Sequence, residues 1–148
     1  MSIKHNMVRM SGSFSKNIKN DLSELTALVI DIHSFLDPME LPPKAVYALD
    51  LALEEMLTNI VKYGYDDKKT HIIGVGISIN QNALVLTLTD DGHEFNPLNA
   101  ITPDTGKSVP DRPVGGVGIH LTRSMVDDMR YRRENNNNIL EIIIKISP

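Results

Sequence analysis

At 148 residues and a formal net charge of −4, the chain is long enough for one domain with a buried core, and its scattered Lys and Arg offer no basic field for nucleic acid. It contains no cysteine, which excludes a disulfide framework and a thiolate metal site and accords with a reducing cytoplasm. No apolar run approaches the roughly 18 residues of a membrane span, and the N-terminal MSIKHNMVRMSGSF is not apolar, so one soluble cytoplasmic domain over residues 1–148 is expected.

In chain order, Ile18, Leu22, Leu25, Val29, Ile32 and Leu36 recur at three- and four-residue spacing and predict an amphipathic helix that stops before Pro38. The segment LPPKAVYALDLALEEMLTNIVKYGY predicts a second, longer helix. It opens on prolines suited to a first turn, sets Val46, Leu49, Leu53, Leu57 and Ile60 on one side, and stops near Gly64. Two strands follow around the turn NQN, with Ile73, Val75, Ile77 and Ile79, then Leu84, Leu86 and Leu88, on one buried face. A loop rich in Pro, Asp and Gly runs from about Gly92 to Gly116, long enough to be either functional or mobile. A helix from about Val117 to Val126 leads into a closing hairpin, MRYRRE and ILEIIIKI. Its turn is Asn135 to Asn138, where Asn tolerates left-handed backbone. Helix, helix, strand, strand, helix, strand, strand suggests an α+β fold with helices on one face of a largely antiparallel sheet.

Three segments carry candidate chemistry. Gly115, Gly116 and Gly118 in RPVGGVGIHLTRSM fit a tight loop before a helix, or a backbone cradle that aims helix N–H groups at an anion. In EEMLTN, Glu55 and Asn59 lie four apart on one helix face. They fit a solvated polar face, or a single site in which Asn supplies a hard oxygen to Mg²⁺ and Glu accepts a proton. In TLTDDGHEFNP, Asp90 ends a strand and Gly92 follows, which fits an ordinary turn or an acidic acceptor for an amino group on a flat base. Two commoner nucleotide motifs fail. TGKS at Thr105 to Ser108 has Ile101 where a P-loop needs its first glycine, and GVGIHL has Leu121 where a dinucleotide fingerprint needs its third.

Taken in order, E-x-x-x-N, D-x-G and G-x-G resemble the N, G1 and G2 boxes of the GHKL (Bergerat-fold) ATPases. Within that superfamily the chain is similar to the anti-sigma-factor serine/threonine kinases, through EEMLTNIVKYGY, DDGHEFNP and RPVGGVGIHLTRSMVDDMRYRRE. The resemblance spans nearly the whole chain. It implies a two-layer α/β sandwich with a mixed, mainly antiparallel sheet, and it implies ATP and Mg²⁺ as ligands. It makes Asn59 the magnesium ligand, Glu55 the general base, and Asp90 the acceptor for the adenine amine, with Gly92 admitting the base. It sets Gly116, Val117, Gly118 and Ile119 at the phosphates and the segment from Asn96 to Val114 as a lid, in which Lys107 and Arg112 fit solvated loop positions or added positive charge near the γ-phosphate.

A histidine kinase would need a dimerisation helix with a phosphoacceptor, for which the chain has no room. His33 on the first helix fits a surface or satisfied histidine, and His71, His93 and His120 lack metal-ligand spacing. Two functions remain. One is a kinase that phosphorylates an anti-sigma antagonist protein and sequesters a sigma factor, with a homodimer as a further option. The other is a binding module in which ATP sets lid conformation and partner affinity without phosphotransfer. Neither involves direct nucleic-acid or membrane binding.

Overall fold

The computed structural model describes residues 11–99 and 116–147. The TGKS segment, Lys107, Arg112, Gly115 and all but residues 96–99 of the expected lid lie outside them. The chain runs β1 (Gly12–Lys19), α1 (Ser23–Leu36), a 3-10 turn (Asp37–Met39), α2 (Pro43–Tyr63), β2 (Ile72–Ile79), β3 (Ala83–Asp90), a second 3-10 turn (Pro97–Asn99), α3 (Gly116–Met125), β4 (Asp128–Glu134) and β5 (Asn137–Lys145).

β1 corrects the expected first helix. Ile18 belongs to this strand and pairs with Ile73 of β2, and Leu22 is exposed ahead of the helix start. The strand's inward residues are Phe14, Lys16 and Ile18, a period of two that the helical spacing of Ile18, Leu22 and Leu25 conceals. Phe14 packs on Phe35 of α1 with ring centroids 5.7 Å apart, and Lys16 pairs with Asp31 of the same helix. The Asp21 carboxylate accepts the Ser23 amide at 3.0 Å, a side-chain turn that ends the strand and opens α1.

The other elements follow their patterns. α2 begins at the prolines, buries Leu49, Leu53 and Leu57, and ends as the Gly64 amide donates to the Ile60 carbonyl at 2.9 Å. Both hairpins form, and Asn135 and Asn136 take φ of 53° and 63° in the closing turn. Asn137 and Asn138, expected in that turn, instead start β5.

The strand order is β1-β2-β3-β5-β4, and every described pairing is antiparallel. Helices cover one face. Against them β3 and β5 present a ladder of opposed residues: Leu84 with Ile144, Leu86 with Ile142, Leu88 with Leu140, and Asp90 with Asn138. All eight are buried. The first three pairs form the centre of the core, and the fourth continues the same inward row with two polar side chains.

Candidate functional site

The polar end of that row faces the last turns of α2. Burial raises the Asp90 carboxyl above its ordinary value, opposed by hydrogen bonds from the Asn138 side chain and the Gly92 amide. Those two donors lie at 3.0 and 2.9 Å, and among the described residues both bonds fall on Oδ1. Asn138 is fully engaged. Its Nδ2 also donates to the His93 carbonyl at 2.7 Å, and its Oδ1 accepts from the Tyr131 hydroxyl at 2.6 Å and the Phe95 amide at 3.3 Å. Arg133 of β4 donates to the Gly92 carbonyl at 2.8 Å, so the β4–β5 hairpin supports the turn after β3 from outside.

The three boxes assign no site role to Asn138, Tyr131 or Arg133, although Tyr131 and Arg133 fall within RPVGGVGIHLTRSMVDDMRYRRE. The available signal was the period of two, because Asn138 precedes Leu140, Ile142 and Ile144 just as Asp90 follows Leu84, Leu86 and Leu88. A polar residue on a core-facing position needs partners or a function.

A cavity of about 250 Å³ opens beside this network. Its walls include Met56, Ile60, Leu88 and Leu140, and Asn59, Asp90 and Asn138 supply polar atoms. Asn59 is buried, at 8% exposure, and its Nδ2 has no hydrogen-bond partner among the described residues. A buried amide group without a partner costs roughly 1–3 kcal/mol, a cost that a hydrogen-bond acceptor entering the cavity would relieve.

Glu55 does not line the cavity. It lies one helical turn before Asn59 and is half-buried, whereas Glu54 is exposed. Its carboxylate occupies the space beside Gly118 of α3, where a Cβ would overlap it outright. The Glu55 side chain thus lies directly against the Gly118 backbone, and α2 and the first turn of α3 meet at this point. The first four N–H groups of a helix have no intrahelical acceptor, and here they belong to Gly116, Val117, Gly118 and Ile119. The Ile119 side chain is in the core, so only its backbone is available to a ligand, whereas the Val117 side chain is exposed. Gly92 is likewise explained by the protein: a Cβ there would lie 2.5 Å from the Gly64 carbonyl oxygen and 3.0 Å from Asp90 Oδ1. The structure therefore brings Asn59 and Asp90 into one cavity, sets Gly92 behind it, and puts Glu55 with Gly116 and Gly118 along α2 beyond it.

Among the described residues no three His, Asp or Glu side chains converge to hold a metal ion, and no described helix is long and apolar enough to cross a membrane.

Residues 18–144 match the model of the histidine kinase-like ATPase domain. The chain is 28% identical over 96 residues to the serine-protein kinase RsbW of Oceanobacillus iheyensis, covering 62% of this chain and 60% of that kinase. It is 21% identical over 108 residues to the anti-sigma F factor of Clostridium novyi, covering 73% of this chain and 76% of that factor. The fold matches the crystal structure of the RsbU and RsbW domains of Rv1364c from Mycobacterium tuberculosis with a TM-score of 0.63 at 9% identity, covering 93% of this chain and 33% of that one.

Proposed function

The chain belongs to the histidine kinase-like ATPase family, whose domain binds ATP, and from that premise we propose that it is an anti-sigma regulatory factor with serine/threonine kinase activity. Its substrate in this proposal is an anti-sigma antagonist protein, and its second partner a sigma factor. The name of the anti-sigma F factor supports the sigma-factor partner, and that of the serine-protein kinase supports a protein substrate. One observation carries the proposal: a buried carboxylate, Asp90, and a buried amide, Asn59, whose Nδ2 has no partner among the described residues, share one mostly apolar cavity.

The residues present fit Mg·ATP. Apolar walls with a few placed polar groups suit a flat heterocycle. Asp90, with both described hydrogen bonds on Oδ1, has Oδ2 to accept an exocyclic amine, whereas a base carrying a carbonyl there would meet an acceptor with an acceptor. Asn59 is the ligand this chain would offer a magnesium ion, through its amide oxygen. A bound magnesium would neutralise phosphate charge. The free N–H groups of Gly116, Val117, Gly118 and Ile119 would hold phosphate oxygens, and the α3 dipole favours an anion at that end. Glu55, between Asn59 and α3, would take the proton of the attacking seryl or threonyl hydroxyl.

The test is transfer of labelled γ-phosphate from Mg·ATP to a cognate small antagonist protein. Phosphorylated serine or threonine on the antagonist is the expected product. Absence of transfer with ATP binding intact would overturn the kinase assignment in favour of a nucleotide-dependent binding module.

A further inference from the structure

A second set of contacts ties the loop after α2 to the turn after β3, outside the cavity. His71 stands just before β2, with 18% of its side chain exposed. Its Nε2 lies 2.7 Å from Asp67 Oδ1, and its Nδ1 lies 3.1 Å from Asp91 Oδ1. The ring stacks on Tyr65, with centroids 4.1 Å apart and planes 16° apart. Its backbone is fixed as well: the His71 amide donates to Asn20 Oδ1 at 2.9 Å, and the Asn20 amide donates to the His71 carbonyl at 3.0 Å. Asp91 sits between Asp90 and Gly92, and the His93 amide donates to the Gly64 carbonyl at 2.8 Å. The same imidazole therefore touches both segments that meet behind the base end of the cavity.

We propose that His71 is a positioning residue for that end, a doubly protonated bridge between Asp67 and Asp91 that holds the turn carrying Asp90 in place for the base; the inference rests on the nucleotide reading of the cavity. A neutral imidazole has one N–H and one lone pair, so it can donate to only one of the two carboxylates and turns a lone pair toward the other. Only the imidazolium satisfies both. The groups around the ring favour that cation. Asp67 and Asp91 flank it and the Tyr65 phenol lies on its face. In the adjoining depression are Asp66 paired with His93 at 3.0 Å, Glu94, and the Arg133 guanidinium, which is turned to the Gly92 carbonyl. The hydrogen bond to Asp67 raises the His71 pKa above its ordinary 6.5, against the opposing effect of burial, and Asp91 adds to the rise. The bridge is therefore complete below about 6.5 and is lost as pH rises through the elevated folded value.

The experiment follows the wild type and His71→Gln from pH 5.5 to 9. In nucleotide-free protein, the His71 ring signal and the Gly92 backbone amide signal should titrate with one midpoint, and Asp67→Asn should lower both together. In the same pH series, the ratio of Mg·ATP affinities, wild type over His71→Gln, should fall about two- to fourfold from pH 6 to pH 8.5, as expected for losing one exposed charge-assisted contact. Using the ratio cancels titration of the nucleotide phosphates. A Gly92 amide that shows no inflection at the His71 midpoint, or a ratio that stays constant while both proteins bind ATP, would overturn the positioning role alone. No nucleotide binding by the wild type at any pH would overturn the nucleotide reading and the positioning role with it.

Discussion

The two ends of the β3–β5 ladder have the same backbone geometry and opposite chemistry. At one end Leu84 and Leu86 meet Ile144 and Ile142 inside the core, where burial is its own stabilisation. At the other, Asp90 and Asn138 occupy the next inward positions of the same strands, and every bond that Asn138 can make is spent on its neighbours. The apolar end holds the fold together; the polar end accepts a burial penalty at the wall of the cavity. In the proposed function, the ligand site begins where the inward row stops being apolar.

The largest expected effect lies beyond both ends, on α2. Glu55→Gln should lower phosphotransfer by roughly 10² to 10⁴-fold with little change in ATP affinity, the range for loss of a general base. Glu54→Gln, exposed and turned about 100° away on the helix, should keep most of the activity in a single-turnover assay. Equal losses would remove Glu55 from the chemistry.

Substitutions in the ladder itself sharpen the contrast. Leu86→Ala should cost about 2–5 kcal/mol in denaturant unfolding and leave nucleotide affinity nearly unchanged in the folded fraction. Asn138→Ala should cost less stability, about 1–3 kcal/mol, because it strands the Tyr131 hydroxyl and the His93 carbonyl, yet it should weaken nucleotide binding. Matching profiles for the two variants would abolish the distinction between the ends.

Asn59→Ala should lose affinity for Mg·ATP, and by more in magnesium than in chelator, because the adenine contacts survive while the metal ligand does not. Equal losses under both conditions would make Asn59 structural.

The smallest effect concerns pH. Burial raises the Asp90 carboxyl, so between its ordinary 3.8 and the raised value the folded state holds more protons than the unfolded one. Stability therefore falls as pH rises through that window and stays lowered above it. Asp90→Asn should raise the melting temperature of the nucleotide-free protein at pH 7 and flatten its acid-side profile. A lower melting temperature would mean that the charge is already compensated by the protein.

Much of this architecture was legible from residue patterns. Strict alternation in Ile73–Ile79 and Leu84–Leu88 marks the central hairpin, and the proline start and four-residue apolar spacing mark α2. β1 escaped because an edge strand of Gly, Ser, Lys and Asn alternates weakly, and its Ile18 falls by coincidence on the helical period that follows. In the site, the three boxes pointed to Glu55, Asn59 and Asp90 as local pairs. They said nothing of Asn138, because a residue 48 positions away becomes a neighbour only through β3–β5 pairing. The Gly118 contact with Glu55 is equally non-local, so a glycine assigned by motif to the phosphates also abuts an α2 side chain.

The central claim is that the polar end of the ladder seats an adenine nucleotide through the Asp90 carboxylate, and calorimetric titration of wild type and Asp90→Asn with Mg·ATP tests it most directly. The wild type should bind, and the variant should lose roughly 1.5–3 kcal/mol, about ten- to a hundredfold in affinity, for one charge-assisted bond. A wild type that binds no adenine nucleotide at millimolar ligand, or an Asp90→Asn variant that binds as tightly as the wild type, would contradict it.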